Sequence, residues 1–209
     1  MPTLYSTPLS ANGRKPLALA RHLGLALDVR TVNVYAGEGR SPEYLALNPL
    51  GKIPTLVDGD WVLSESNAIL QYLGDAYGGG ALGSRDARGR ADVARWLFWE
   101  SAHWQPSLSA ALSAFVITRL WPERALPEVT VNWDDGALAP LLAFLERHLS
   151  GSPFLVGPAL TIADFSVAGM TTYFRPGGFP FARVPAISAW FGRVESLEAW
   201  RSTAAAPWA

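Results

Sequence analysis

Pro54-Thr55-Leu56-Val57-Asp58-Gly59-Asp60-Trp61-Val62-Leu63 is the stretch on which the fold turns. Two short apolar runs flank Asp58-Gly59-Asp60, and Asp-Gly between such runs is the strongest short-range hairpin signal. Immediately downstream, Ile69, Leu70, Tyr72 and Leu73 fall at helical spacing between Ser66 and Tyr77, and Gly78-Gly79-Gly80 stops that helix. Upstream, Ser41-Pro42-Glu43 reads as N-cap, N1 proline and first-turn carboxylate of a short helix ending before Asn48-Pro49. Val29 to Val34 alternates as a strand does. Pro16 to Leu23 has a helical pattern closed by Gly24, and Thr3 to Ser6 is a β-prone run ending at Pro8. The order is β-α-β-α-β-β-α within residues 1–80.

Beyond the triple glycine and Gly83-Ser84, which read as a linker, every long segment has helical period. Asp86 to about Leu120 is aromatic-rich, and Pro106 should kink it. Asp134 to Leu149 carries a stripe of Leu138, Leu141, Leu142 and Leu145. Leu160-Thr161-Ile162-Ala163-Asp164-Phe165 is a start signal in which Thr161 caps, Asp164 returns the bond and Leu160 faces Phe165. Helices near Pro185–Val194 and Glu195–Thr203 finish the chain. The expected fold is an α/β domain over 1–80 followed by an all-helical domain over 85–209.

Composition narrows the function classes. The chain has 209 residues, 49% hydrophobic and 17% charged, with a formal charge of −1, so it has core material and no basic footprint for nucleic acid or anionic membrane. There is no cysteine, which removes disulfides, thiolate metal sites and a cysteine nucleophile. His22, His103 and His148 are scattered, so no metal is expected. The N-terminus lacks the pattern of a secretory signal, and the longest uncharged run, Ser101 to Thr118, is interrupted by His103, Gln105, Pro106 and hydroxyl residues. A cytoplasmic protein is expected.

Three segments of the first half carry chemistry. Ser10 and Asn12, in Ser10-Ala11-Asn12-Gly13-Arg14, stand at a helix N-terminus. Unpaired N–H groups and the helix dipole favour an anion there, such as a ligand thiolate; the same residues also make ordinary caps. Pro54, in Gly51-Lys52-Ile53-Pro54, either forms a cis bond that presents the preceding backbone to an extended ligand, or simply begins an edge strand. Glu65-Ser66 offers a carboxylate for an ammonium and a hydroxyl with helix amides for a carboxylate, the pair a zwitterionic amino-acid head group needs; it also suits a capped helix.

Together with Leu4-Tyr5-Ser6-Thr7-Pro8-Leu9-Ser10 and Thr161-Ile162-Ala163-Asp164, these motifs resemble the cytosolic glutathione transferases along essentially the whole chain. The resemblance implies a thioredoxin-like first domain, an all-α second domain, glutathione as co-substrate and a homodimer. It implies a cis Pro54, Ile53 pairing its backbone with the cysteinyl unit, Glu65 and Ser66 holding the γ-glutamyl end, and Lys52 facing the glycine carboxylate. The Ser10-to-Arg14 spacing resembles the serine-type Theta and Delta classes, which makes Ser10, assisted by Asn12, the thiol-activating residue and gives Tyr5 a structural role. Nu-like proteins carry Thr and Asn at the matching places, while the Beta-class cysteine is absent at Ser10. Leu9, His103 and Trp104 are the expected electrophile pocket, with tryptophan packing and a core histidine as the alternative reading of that last pair. The expected activity is conjugation of the glutathione thiolate to small apolar electrophiles. A glutathione-dependent peroxidase or disulfide reductase, and a non-catalytic binding protein of the same fold, are the alternatives.

Overall fold

The computed structural model describes residues 1–80, 82–83, 86–120 and 127–205. Strands β1 (Thr3–Ser6), β2 (Asp28–Thr31), β3 (Thr55–Asp58) and β4 (Trp61–Ser64) form one mixed sheet in the order β2-β1-β3-β4. β1 and β2 are parallel, whereas β3 runs antiparallel to both β1 and β4. In the hairpin Asp58 pairs with Trp61, leaving Gly59 and Asp60 as its two-residue loop. Gly59 stands at φ 63°, as a first central glycine does in a type II′ turn. The expected β-α-β-α-β-β-α order is present, with α1 (Ala11–His22), α2 (Pro42–Leu47) and α3 (Ser66–Tyr77) as its helices. β2 is shorter than its alternating pattern, because Asn33 caps a 3₁₀ turn at Val34–Ala36.

Helix α1 starts five residues before its apolar pattern suggests. Ser10 is its N-cap, accepting the Gly13 N–H at 3.1 Å, so Pro16 lies inside the helix instead of opening it. Pro16 has no N–H for the Asn12 carbonyl, a defect tolerated here by a buried helix packed on both α3 and a later helix, α7 (Ile162–Thr171).

The helical half comprises α4 (Ala87–Trp99), α5 (Gln105–Leu120), α6 (Ala139–Leu149), α7, α8 (Pro185–Ser196) and α9 (Glu198–Arg201). Ser84 of the expected linker and Arg85, where the second domain was expected to begin, lie outside the described residues, as do 206–209. α6 begins later than Asp134, since Asp135 first closes a turn through its carboxylate on the Ala137 N–H. The capping box at α7 is present: Asp164 accepts the Thr161 N–H at 2.8 Å. Between α4 and α5 the chain does not simply kink at Pro106. Glu100–Trp104 forms a π turn, in which the Gln105 N–H reaches the Glu100 carbonyl. This wide turn lies just ahead of the proline, where the ring would collide with the preceding α-helical turn.

The core runs continuously from Leu4, Leu56 and Ile69 in the sheet domain through α1 to Trp96, Trp104, Phe165 and Trp190 in the helical half. Along it Trp96 meets Trp99 edge-on and Trp99 stacks on Trp104, with ring centroids 5.2 Å and 5.4 Å apart.

Candidate active site

The first two turns of α1, the 48–54 loop and the start of α3 converge on a cleft of about 230 Å³. The loop is fixed from within. Asn48 donates to the Lys52 carbonyl at 2.8 Å and to Thr55 Oγ1 at 3.1 Å, while its own Oδ1 accepts the Leu50 N–H. The Tyr44 hydroxyl donates to that same Lys52 carbonyl at 2.6 Å. Gly51 and Gly39 approach so closely that a Cβ on either would overlap the carbonyl oxygen of the other. Lys52, Ile53 and Pro54 thereby line one wall, and the Ile53–Pro54 bond is cis.

Glu65 and Ser66 line the opposite end. Glu65 is the only non-glycine residue at positive φ among the described residues, at 69°. A left-handed glutamate is unfavourable and persists where the surroundings impose it, commonly at ligand sites. Here it turns the chain sharply from β4 into α3, placing an exposed carboxylate beside a helix N-terminus.

Asn12 faces both this cleft and a second, mainly apolar cavity of about 280 Å³. Its Oδ1 is buried without a protein hydrogen-bond partner, as are Ser6 Oγ and Trp96 Nε1, but of the three only Asn12 lines these spaces. Ser10 lines the second cavity. Because its Oγ accepts from Gly13, the Ser10 proton remains free to donate. The first turn of α1 holds no acidic side chain, so nothing offsets the positive end of the helix.

The rest of the second cavity comes from Tyr35, Met170, Tyr173 and a stripe of α5: Gln105, Ser109, Leu112, Ser113, Val116 and Ile117. That spacing is one face of an α-helix. Burial pushes the Tyr173 hydroxyl well above its ordinary pKa, so it stays a donor; it reaches toward the Leu9 carbonyl at 3.5 Å. Leu9, expected in the electrophile pocket, lines neither space and packs against the core instead.

His103 and Trp104 do not line either space. Trp104 is fully buried, with Nε1 donating to the Val167 carbonyl at 3.1 Å, and His103 is exposed. The cause is the π turn, which takes one residue more than an α turn and so rotates the following face. Gln105 inherits the position expected for Trp104 and, like Asn12, lines both spaces. Asn67, Ser101, Gln105, Tyr35 and Tyr173 were not anticipated; of these only Asn67, adjoining Glu65-Ser66, stood within a recognisable motif. Tyr5 points elsewhere: its ring lies 6.0 Å from that of Tyr44, under the Arg30 guanidinium. A larger cavity of about 570 Å³, between α6 and residues 179–184, shares no residue with the cleft.

Among the described residues no helix is long and apolar enough to cross a membrane, and no three His, Asp or Glu side chains group as metal ligands. Residues 4–81 match the family model described as glutathione S-transferase, N-terminal domain, and residues 108–193 match its C-terminal domain. Glutathione S-transferase 3 of Zea mays is 32% identical over 97% of this chain and 93% of its own. Glutathione S-transferase theta-2B of Homo sapiens is 33% identical over 93% of this chain and 80% of its own. A solved delta-class glutathione transferase from Nilaparvata lugens superposes with a TM-score of 0.85 at 27% identity, covering 100% of this chain and 97% of that one. Both domain models match, one on the sheet domain and one on the helical half, and relatives 32% and 33% identical span nearly the whole chain: the chain belongs to the glutathione S-transferases.

Proposed function

We propose that this chain conjugates glutathione to small apolar electrophiles, with domains 1–80 and 85–209 supplying the two halves of the site. The observation that carries this reading is the shared wall: Asn12 and Gln105 line both the polar cleft and the apolar cavity, and Ser10, two residues from Asn12, lines the apolar one. Glutathione lies with its γ-glutamyl head at Glu65 and Ser66, its cysteinyl unit along Ile53–Pro54 and its glycine carboxylate toward Lys52. Its sulfur then meets Ser10 and the N-terminus of α1. The thiol gives its proton to solvent, the Ser10 hydroxyl and the Asn12 side-chain N–H groups donate to the thiolate, and sulfur forms a bond to the electrophilic carbon held against α5 as that carbon's leaving group departs with its bonding electron pair. Catalysis consists of positioning and of stabilising charge on sulfur. Conjugation of chlorodinitrobenzene, measured beside hydroperoxide reduction, tests the reading. Conjugation dominates if it is right; peroxide turnover alone would assign the chain to reduction, and neither would leave a binding protein.

Glu65→Ala is expected to weaken glutathione binding by about 1–3 kcal/mol, the effect of removing a charged hydrogen-bond partner. Titration calorimetry reads this directly, and an unchanged affinity removes Glu65 from the site.

The enzyme is proposed to be a cytoplasmic homodimer. Phe98 on α4 is 74% exposed, and Trp61 and Val62 on β4 and Tyr77 on α3 add further exposed apolar surface. A stable pair would bury roughly 1,600 Å². Phe98→Asp is expected to shift the protein toward monomer by light scattering at micromolar concentration. A wild-type monomer under the same conditions defeats the proposal.

A further inference from the structure

Behind the γ-glutamyl end of the cleft lies an ion pair that the reaction, as described, does not use. Lys15 on α1 and Glu100, at the head of the π turn, are both fully buried, with Nζ 2.7 Å from Oε1. They form the only ion pair sealed from solvent among the described residues. A buried pair contributes little net stability over apolar side chains of the same volume, so its location is the informative fact.

The pair is wired to the start of α3. Lys15 Nζ also lies 3.4 Å from Ser66 Oγ, and Glu100 Oε2 accepts from Asn67 Nδ2 at 2.9 Å. Asn67 in turn accepts the Ser166 hydroxyl proton at 2.8 Å, tying the group to α7. The fold makes room for it: a Cβ at Gly169 would overlap the Lys15 Cε. Burial lowers the Lys15 pKa below its ordinary value, opposed by Glu100 and by the charge of Glu65.

With Lys15 donating to its oxygen, Ser66 has its own proton free to donate outward into the cleft. Chains of this kind polarise each member, so the hydroxyl becomes a stronger donor to an anion. We propose that Lys15, held by Glu100, is a positioning residue that selects for the α-carboxylate of the γ-glutamyl unit through Ser66. The inference rests on the glutathione reading above. An ammonium behind a hydroxyl favours a carboxylate in front of it, and Asn67, braced by Glu100, fixes the helix start that presents the hydroxyl.

The test pairs two ligands with two proteins. Glutathione and its analogue lacking the γ-glutamyl α-carboxylate are titrated by calorimetry into the wild type and into Lys15→Met/Glu100→Gln, which removes both charges together and strands neither. The wild type is expected to prefer glutathione by about 10–100-fold. In the double variant glutathione binding falls by about tenfold or more, the analogue's affinity holds, and kcat at saturating glutathione is retained while KM rises. Equal weakening of both ligands, or undiminished preference for glutathione, overturns the proposal. Should the double variant not fold, Gly169→Ala displaces the Lys15 chain from outside the cleft and is expected to give the same selective loss; full retention of the preference there also overturns it. A wild type that binds neither ligand overturns the glutathione reading itself, a result distinct from either.

Discussion

Ser10→Ala is expected to lower conjugation near neutral pH by about 10²–10³-fold, the usual effect of losing one donor to a developing anion, with little change in glutathione affinity. The Ser10 oxygen is engaged by the Gly13 N–H and its proton is unclaimed, so on the proposed reading the side chain donates to the thiolate and favours it over the thiol. A free thiol titrates at about 8.5, and a donor to the anion lowers that value. Removing the donor raises it, so the variant's activity profile moves to higher pH and the deficit narrows as pH climbs past the thiol's own pKa. Tyr5→Phe is the control. Tyr5 pairs with Thr55 in the sheet and its hydroxyl is reached by Arg30 at 3.4 Å, outside the cleft. Thiolate absorbance titration of both variants, read beside their rates, decides the matter. A shift in Tyr5→Phe without one in Ser10→Ala would refute the serine assignment.

Asp164→Ala should lower folding stability by about 3–5 kcal/mol in urea denaturation while leaving turnover per folded molecule intact. Its carboxylate, fully buried, accepts from the Leu155 N–H at 3.0 Å, the Thr161 N–H at 2.8 Å, the Thr161 hydroxyl at 3.1 Å and Trp190 Nε1 at 2.9 Å. Alanine strands several buried donors at once and removes the cap of α7, the helix against which α1 packs. Asp164→Asn, which keeps the shape and one acceptor oxygen, should lose less. A specific loss of kcat with unchanged stability would instead place Asp164 in the chemistry.

The features legible in the sequence are those governed by neighbours along the chain. The Asp58-Gly59 hairpin, the Ser41-Pro42 helix start and the Thr161–Asp164 box each depend on a few consecutive residues, and each is present. The convergence of Asn12, Ile53, Pro54, Glu65 and Ser66 on one cleft was also foreshadowed, since they lie at strand-to-helix or loop-to-strand junctions that a βαβ-type layer gathers at one end. The start of α1 was hidden because a proline usually opens a helix, whereas Ser10 caps this one from six residues away. The π turn was hidden because apolar periodicity assumes a constant 3.6-residue repeat; one extra residue exchanged Trp104 for Gln105 at the cleft. Lys15 and Glu100 lie 85 residues apart, and only the docking of α1 beside the π turn brings them together.

That single extra residue has a consequence for how the enzyme diversifies. Ahead of it, Leu97 and Glu100 engage Asn67 and Lys15 behind the polar cleft. Behind it, Ser109, Leu112, Ser113, Val116 and Ile117 look only into the apolar cavity. The phase slip acts as a clutch between two sections of one rod. On the proposed reading, substitutions along the α5 stripe are expected to retune the range of electrophiles without disturbing the grip on glutathione, so an evolving lineage, or a mutagenesis library confined to those positions, would explore new substrates on a fixed chassis. Deleting one residue from 100–104 would engage the clutch, turn the α5 stripe away from Ser10, and surrender both functions together.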